Sequence, residues 1–406
     1  MKEAWIPLCA AIVAISACSG KAPSVHSPPA PAGRIVIRSD YWPTRGWRTS
    51  TPVAQEMNEA TLQAALASVQ QQKLLLHGLL VIRHGYIVLE KYFAPFEQST
   101  AHSLYSCTKS FVSALMGIAV GRKYVSDVML PVLDFFPGRS FQGVNASKKA
   151  ITLENLLTMS SGLDWAEGDD TYDRMYLYSR DWVKFVLDAP MASRPGQVFN
   201  YSSGSSHVLA AIIQEASGMN TYDFARKALF HPLGIADPDW ERDPSGIPIG
   251  GWGMSLSPRD MAKLGYLYLH EGMWDGKQIL PASWVRDSTR PHITADGGWE
   301  YGFQWWVDPS LSFYAALGRN GQSIFVVPRL DMVVVFTARI DSNDPETDLL
   351  KTYFMPACSP QPTRKTARPG SACFTPHSWP VRTHRSMAIS LTHLSSPGKE
   401  LPASRR

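Results

Sequence analysis

The sequence predicts an α+β fold: an antiparallel sheet built from both termini of the domain and flanked by helices, with a mostly helical subdomain between them. Three observations carry this reading. Strand-like apolar runs bounded by turn residues occur at 79–93 and recur over 301–338. The stretch between them, about 124–290, has helical spacing broken by Pro and Gly. Strands joined by short turns pair antiparallel, so the early and late runs form one sheet rather than a crossover array.

The elements follow in order. Met57 to Lys73, rich in Ala, Gln and Leu, reads as a helix. Leu79–Arg83 and Tyr86–Phe93 flank His84-Gly85 and read as a β-hairpin. Phe111 to Val120 is apolar with helical spacing. Thr152 is a helix N-cap with Asn155 three residues on, and Ser257-Pro258-Arg259-Asp260 combines a cap, a first-turn Pro and an acid. Strands are expected at Tyr301–Val307, Phe313–Leu317, Ser323–Val327 and Met332–Ala338, and a last helix at Pro345 to Phe354. Beyond Met355 the periodicity dissolves into Pro, Ser, Thr and Arg, so 356–406 reads as a disordered or atypical tail.

Composition narrows the function class. Apolar residues make up 45% and charged residues 18% of 406, which excludes a disordered chain. The net charge of +4 is misleading, because 356–406 carries eight Lys or Arg against one Glu. The rest of the chain is therefore net negative, and a nucleic-acid partner, which needs a basic face on the folded domain, is not expected. No Cys or His spacing matches a metal site, and no cofactor motif occurs.

The N-terminus carries an address. Residues 6–17 form an apolar run too short to span a bilayer and suited to a signal peptide over 1–17. Ile15-Ser16-Ala17-Cys18 resembles a bacterial lipobox, so Cys18 is the expected lipidation site. Residues 18–39 are rich in Pro, Ser and Ala, as in a linker holding the 40–355 domain off a membrane. The expectation is an exported protein on the periplasmic side of a bacterial membrane, with the lipid as a partner through Cys18. Such a compartment would permit a Cys358–Cys373 disulfide.

Ser106-Cys107-Thr108-Lys109 is the leading chemical motif. It stands at a loop-to-helix junction, where side chains three apart share a face and a Lys amine reaches a Ser hydroxyl. The helix N-terminus adds free N–H groups that favour an anionic transition state. A second match, Ser396-Pro397-Gly398-Lys399, holds a Pro-Gly that forbids a helix. Tyr201-Ser202-Ser203 follows about 90 residues after Ser106, and Gly318-Arg319-Asn320-Gly321-Gln322 lies between two late strands.

In this order the three pieces resemble the serine β-lactamase and penicillin-binding-protein superfamily, especially its class C β-lactamase-like serine hydrolases, which include DD-peptidases, esterases and nylon-oligomer hydrolases. The resemblance spans about 40–355 and includes Leu156–Leu163, Pro195-Gly196, His231–Ile235 and Gly321-Gln322. It implies a β-lactamase/transpeptidase-like fold and a small amide or ester substrate. It implies Ser106 as acylating nucleophile, with Lys109 and Tyr201 as general base and acid. The oxyanion hole would come from the backbone N–H groups of Ser106 and Gln322, and substrate contacts from Arg319, Asn320 and Gly321. Close contact and burial are expected to lower the pKa of both Lys109 and Tyr201.

Two positions depart from the family pattern. Ser203 stands where an Asn is common, which implies a missing substrate amide contact. Arg319 replaces Lys or His. Other readings stay open at this level: a DD-peptidase or β-lactamase acting on cell-wall peptides or β-lactams, and a catalytically silent binding or sensor lipoprotein. A Ser–His–Asp triad on an α/β-hydrolase fold is disfavoured, because no Gly-x-Ser-x-Gly occurs.

Overall fold

The computed structural model describes residues 41–168 and 170–358. The expected signal peptide, Cys18, the linker up to 39, Cys373 and the tail past 358 lie outside the described residues.

A nine-stranded sheet forms the centre. From edge to edge its strands are Arg48–Thr49, Tyr86–Tyr92, Leu76–Arg83, Met332–Ala338, Gln322–Val327, Phe313–Gly318, Trp306–Asp308, Glu300–Tyr301 and Ile293–Thr294. The Leu76–Arg83 and Met332–Ala338 strands pair antiparallel, with Arg83 opposite Met332 and Leu79 opposite Phe336. The two ends of the domain thus share one sheet, as the sequence predicts. The exception to antiparallel pairing is the edge contact of Arg48–Thr49 with Tyr86 and Ile87.

Alternation along these strands feeds two cores. Leu80, Ile82, Ile324, Val326, Val333 and Val335 join the larger core beneath the helical subdomain. Their neighbours Leu79, Val81, Phe325, Val327, Val334 and Phe336 join a second core under the first and last helices. A sheet covered on both faces needs apolar residues at every position, which is why these strands read as continuous apolar runs. Each fully buried side chain of this size contributes roughly 1.5–3 kcal/mol. The Pro258–Leu269 helix lies close on the sheet at Gly265, where a Cβ would stand 2.8 Å from a methyl of Val333.

Most expected elements are present. The first helix is Glu59–Gln71, capped by Asn58, whose side chain accepts from Thr61 N. Thr152 and Asn155 form a reciprocal capping box at the start of Leu153–Leu157. Ser257 caps Pro258–Leu269 by accepting from Asp260 N. The last helix is Asp344–Leu349, widening over Leu350–Phe354 and ending in Met355–Ala357. Ala357 is buried, and its carbonyl accepts from Asn58 N at 2.9 Å, tying the two terminal helices together.

Two expectations need correction. The strand expected over Tyr301–Val307 is instead a tight hairpin of Glu300–Tyr301 and Trp306–Asp308. Gln304 takes a left-handed φ of 62° in its turn, and Gly302 N donates to Trp305 O at 2.8 Å. The helical middle also contributes strands: Asp239–Trp240 and Met254–Leu256 form a small sheet with His102–Ser103. That sheet fixes the chain entering the Ser106 turn, where Leu104 N donates to Met254 O at 2.8 Å.

Candidate active site

The Ser106 turn is built by its neighbours. Tyr105–Cys107 is a 3-10 turn that runs directly into the Thr108–Gly121 helix. Tyr105 holds a left-handed φ of 45°, a strained conformation for a bulky residue. Asn320 Nδ2 donates to the Tyr105 hydroxyl at 3.1 Å. The buried Cys107 thiol points to the sheet, toward Ala316 O at 3.5 Å and Gln322 O at 3.3 Å. Burial pushes that thiol well above its ordinary range, so it serves as a small packing residue. Ser106 is thereby presented half-buried at the helix N-terminus, next to the strand that begins at Gln322.

Lys109 is the centre of the site. Its side chain is 1% exposed, and Nζ donates to Ser106 Oγ at 3.0 Å, Ser203 Oγ at 3.0 Å and Gly251 O at 2.9 Å. Burial lowers its pKa to about 8, opposed by the charge of Glu167 and assisted by that of Arg319. An amine poised there can take a proton near neutral pH.

Tyr201 immediately precedes Ser202, the cap of the Ser203–Ser217 helix. Its ring stacks on Trp306 with centroids 5.7 Å apart, and Lys109 Nζ stands 4.7 Å from its own centroid. Burial raises its pKa, a hydrogen bond with Ser106 opposes the rise, and the Glu167 charge adds to it. This corrects the expectation that both partners are lowered. Loss of water disfavours whichever form is charged, which lowers an amine and raises a phenol. The two groups are pushed apart, leaving an amine that gives up its proton more readily and a phenol that keeps its own.

The residues expected to form an oxyanion hole, Ser106 and Gln322, are brought to one place. Gln322 is buried, and its side chain donates to Ala338 O at 2.8 Å, leaving its backbone beside the Ser106 turn. Gly318 faces the turn from the neighbouring strand; a Cβ there would lie 2.5 Å from Leu104 O and 3.3 Å from Cys107 N. Gly321 holds φ of +81°, with Glu346 directly behind it. Arg319 is exposed, and its charge assists the lowering of Lys109 and opposes the rise that burial gives Tyr172. Asn320, read from the sequence as a substrate contact, spends its side-chain amide on Tyr105.

The family model described as Beta-lactamase matches residues 59–353. The chain belongs to this family. A 6-aminohexanoate-dimer hydrolase of Paenarthrobacter ureafaciens is 23% identical over 310 residues, covering 70% of this chain and 79% of the relative. Among solved structures, a Bacillus anthracis protein described as a candidate 6-aminohexanoate-dimer hydrolase aligns with a TM-score of 0.63 at 22% identity, over 72% of this chain and 81% of that one. EstCE1, a hydrolase with promiscuous acyltransferase activity, aligns at 0.61 and 18% identity over 74% of this chain and all of that one (100%). The penicillin binding protein of Bacillus halodurans aligns at 0.57 and 18% identity over 72% and 99%. These structural likenesses carry the fold, and they agree with the architecture expected from the sequence.

Within this β-lactamase-fold hydrolase family, the chain places two further groups near Lys109 that sequence reasoning missed, Gly251 in direct contact and Glu167 through Ser203. Glu167 accepts from Ser203 Oγ through Oε1, and from Ser203 N at 2.8 Å and Trp165 Nε1 at 2.7 Å through Oε2. Gly251 offers its carbonyl from the loop before Met254–Leu256. Neither has a fixed spacing from the Ser-x-x-Lys motif, so only the folded chain reveals them. Trp252, next to Gly251, packs against Tyr172 at 4.8 Å and forms a second aromatic wall. Of the other tryptophans, Trp305 is core, whereas Trp306 lines the Tyr201 side.

Proposed function

We propose that the chain is a serine hydrolase that cleaves a small amide or ester through an acyl-enzyme on Ser106. The observation that carries this is the buried Lys109 amine, 3.0 Å from Ser106 Oγ and lowered to about 8. Ser106 Oγ attacks the substrate carbonyl while its proton passes to Lys109. The resulting oxyanion is met by the backbone N–H groups of Ser106 and Gln322, each such donor contributing on the order of 3 kcal/mol. Tyr201, held as a neutral phenol, gives its proton to the leaving amine or alkoxide and recovers one from the Lys109 ammonium. Water then attacks the acyl group by the same steps in reverse order, releasing the acid and restoring Ser106.

The substrate class is supported by the relative named as a 6-aminohexanoate-dimer hydrolase and by the exposed Arg319 cation. Arg319 presents a planar fork of donors suited to a carboxylate. A linear amide with a free carboxylate end fits both features. We extend the proposal to location: the chain is exported and tethered by lipid at Cys18. Loss of detergent-phase partitioning in Cys18→Ala, expressed in a bacterial host, tests that part. The chemistry is tested by turnover of small esters, linear amides and β-lactams, with Ser106→Ala as blank. Hydrolysis of an ester or linear amide lost in Ser106→Ala supports the reading, and equal turnover by both proteins overturns it.

A further inference from the structure

We propose that Glu167 is a positioning residue that acts through Ser203 to turn the free electron pair of Lys109 toward Ser106; this rests on the serine-hydrolase reading above. The argument follows the direction of each hydrogen bond. The Glu167 carboxylate receives three donors: Trp165 Nε1 and Ser203 N on Oε2, and the Ser203 hydroxyl on Oε1. A hydroxyl has one proton, so the Ser203 proton is committed to Glu167. Ser203 Oγ can then only accept from Lys109 Nζ, 3.0 Å away. Gly251 O is also purely an acceptor, 2.9 Å from the same nitrogen.

A neutral amine has two protons and one electron pair. With both protons drawn to Ser203 Oγ and Gly251 O, the electron pair is left for the third neighbour, Ser106 Oγ at 3.0 Å. Without Glu167, the Ser203 hydroxyl could instead donate to Lys109 and occupy that pair. The carboxylate also balances the ammonium formed when Lys109 takes the Ser106 proton. Ser203 thus fills the position of the usual Asn with a different device, one that needs its acid partner from the loop before the Asp170–Tyr178 helix.

Glu167→Gln is an informative substitution. Two donors, Trp165 Nε1 and Ser203 N, converge on the Oε2 position, so the glutamine oxygen must sit there. Its NH2 then faces Ser203 Oγ and reverses the chain. The charged side chains acting on Lys109 are Glu167 and Arg319, with the neutral Cys107 thiol and the Tyr201 ring alongside. Glu167 raises the Lys109 pKa, so its neutralisation must move the Lys109 titration to lower pH.

The test measures the rate at which a fluorescent fluorophosphonate labels the full-length protein between pH 5.5 and 10. Labelling joins Ser106 Oγ to phosphorus, expels fluoride and delivers the Ser106 proton to Lys109. In Glu167→Gln the maximal rate is expected to fall at least tenfold and the midpoint to drop by about half a pH unit or more. Ser203→Ala should show the same fall in maximal rate while the Glu167 charge holds its midpoint nearer the wild type, and it stands in if the first variant does not fold. The double variant should be no more than about threefold slower than either single one, because the two residues act as a unit. An unmoved midpoint in Glu167→Gln, an undiminished rate in Ser203→Ala, or losses that multiply overturns the relay. Ser106→Ala separates the two readings: if it still labels, or the wild type does not, the serine-hydrolase reading fails. If labelling needs Ser106 but ignores Glu167, only the relay fails.

Discussion

The Cys107 sulfur lies 3.3 Å from the carbonyl oxygen of Gln322, and this contact fastens the Ser106 turn to the strand expected to complete the oxyanion hole. Cys107 adjoins Ser106 yet is fully buried, and its thiol is pushed above the ordinary range. It should resist Ellman's reagent at pH 8 in the folded protein and react on unfolding. Cys107→Ala should cost about 1–2 kcal/mol of stability and slow turnover by loosening Ser106. Rapid native labelling at Cys107 would contradict this placement.

The proposed mechanism requires a neutral Lys109 and a protonated Tyr201 for turnover. With Lys109 near 8 and Tyr201 raised, activity should climb as pH rises through about 8 and persist beyond pH 10. A profile of kcat/KM against pH for a stable amide checks this; an acid limb near the ordinary carboxylate range would assign the base elsewhere. Tyr201→Phe should retain the fold and lower turnover by roughly two to four orders of magnitude.

Glu346 is buried behind Gly321, both its carboxyl oxygens lack a hydrogen-bond partner, and burial raises its pKa to about 8. A carboxyl whose folded pKa is raised binds its proton more tightly in the folded state. Its stabilising contribution is complete below about pH 4.5 and is lost as pH rises through about 8. Melting temperature should therefore fall over that window in the wild type and fall less in Glu346→Gln. Parallel curves for the two proteins would show that Glu346 does not titrate there.

Arg319 is exposed, with its charge felt by Lys109 and Tyr172, and it is proposed to meet an anionic substrate group. Arg319→Ala should weaken anionic substrates more than neutral esters, and Arg319→Lys should restore charge with only part of the geometry. An unchanged ratio of kcat/KM for the two substrate types in both variants would make Arg319 structural.

The legible and illegible parts of this chain divide on a physical line. Strands such as Ser323–Val327 and Met332–Ala338 were readable because a sheet covered on both faces demands unbroken apolar runs. Ser106 and Lys109 were readable because one helical turn links them in sequence as in space. Gln304 was misread as strand because its role is tertiary. Its side chain donates to Leu156 O and Leu157 O at 3.1 and 2.9 Å and accepts from Ser206 Oγ at 2.7 Å. Glu167 was invisible for the same reason: its link to Lys109 runs through Ser203, 36 positions away. The opposite shifts of Lys109 and Tyr201 needed burial, which spacing does not supply.

The most direct test of the central claim is mass spectrometry of the protein quenched during turnover of a slow ester. The account predicts one acyl adduct, on the peptide containing Ser106 through Lys109, and its loss in Ser106→Ala together with turnover. An adduct on any other residue, or undiminished turnover in Ser106→Ala, would contradict it.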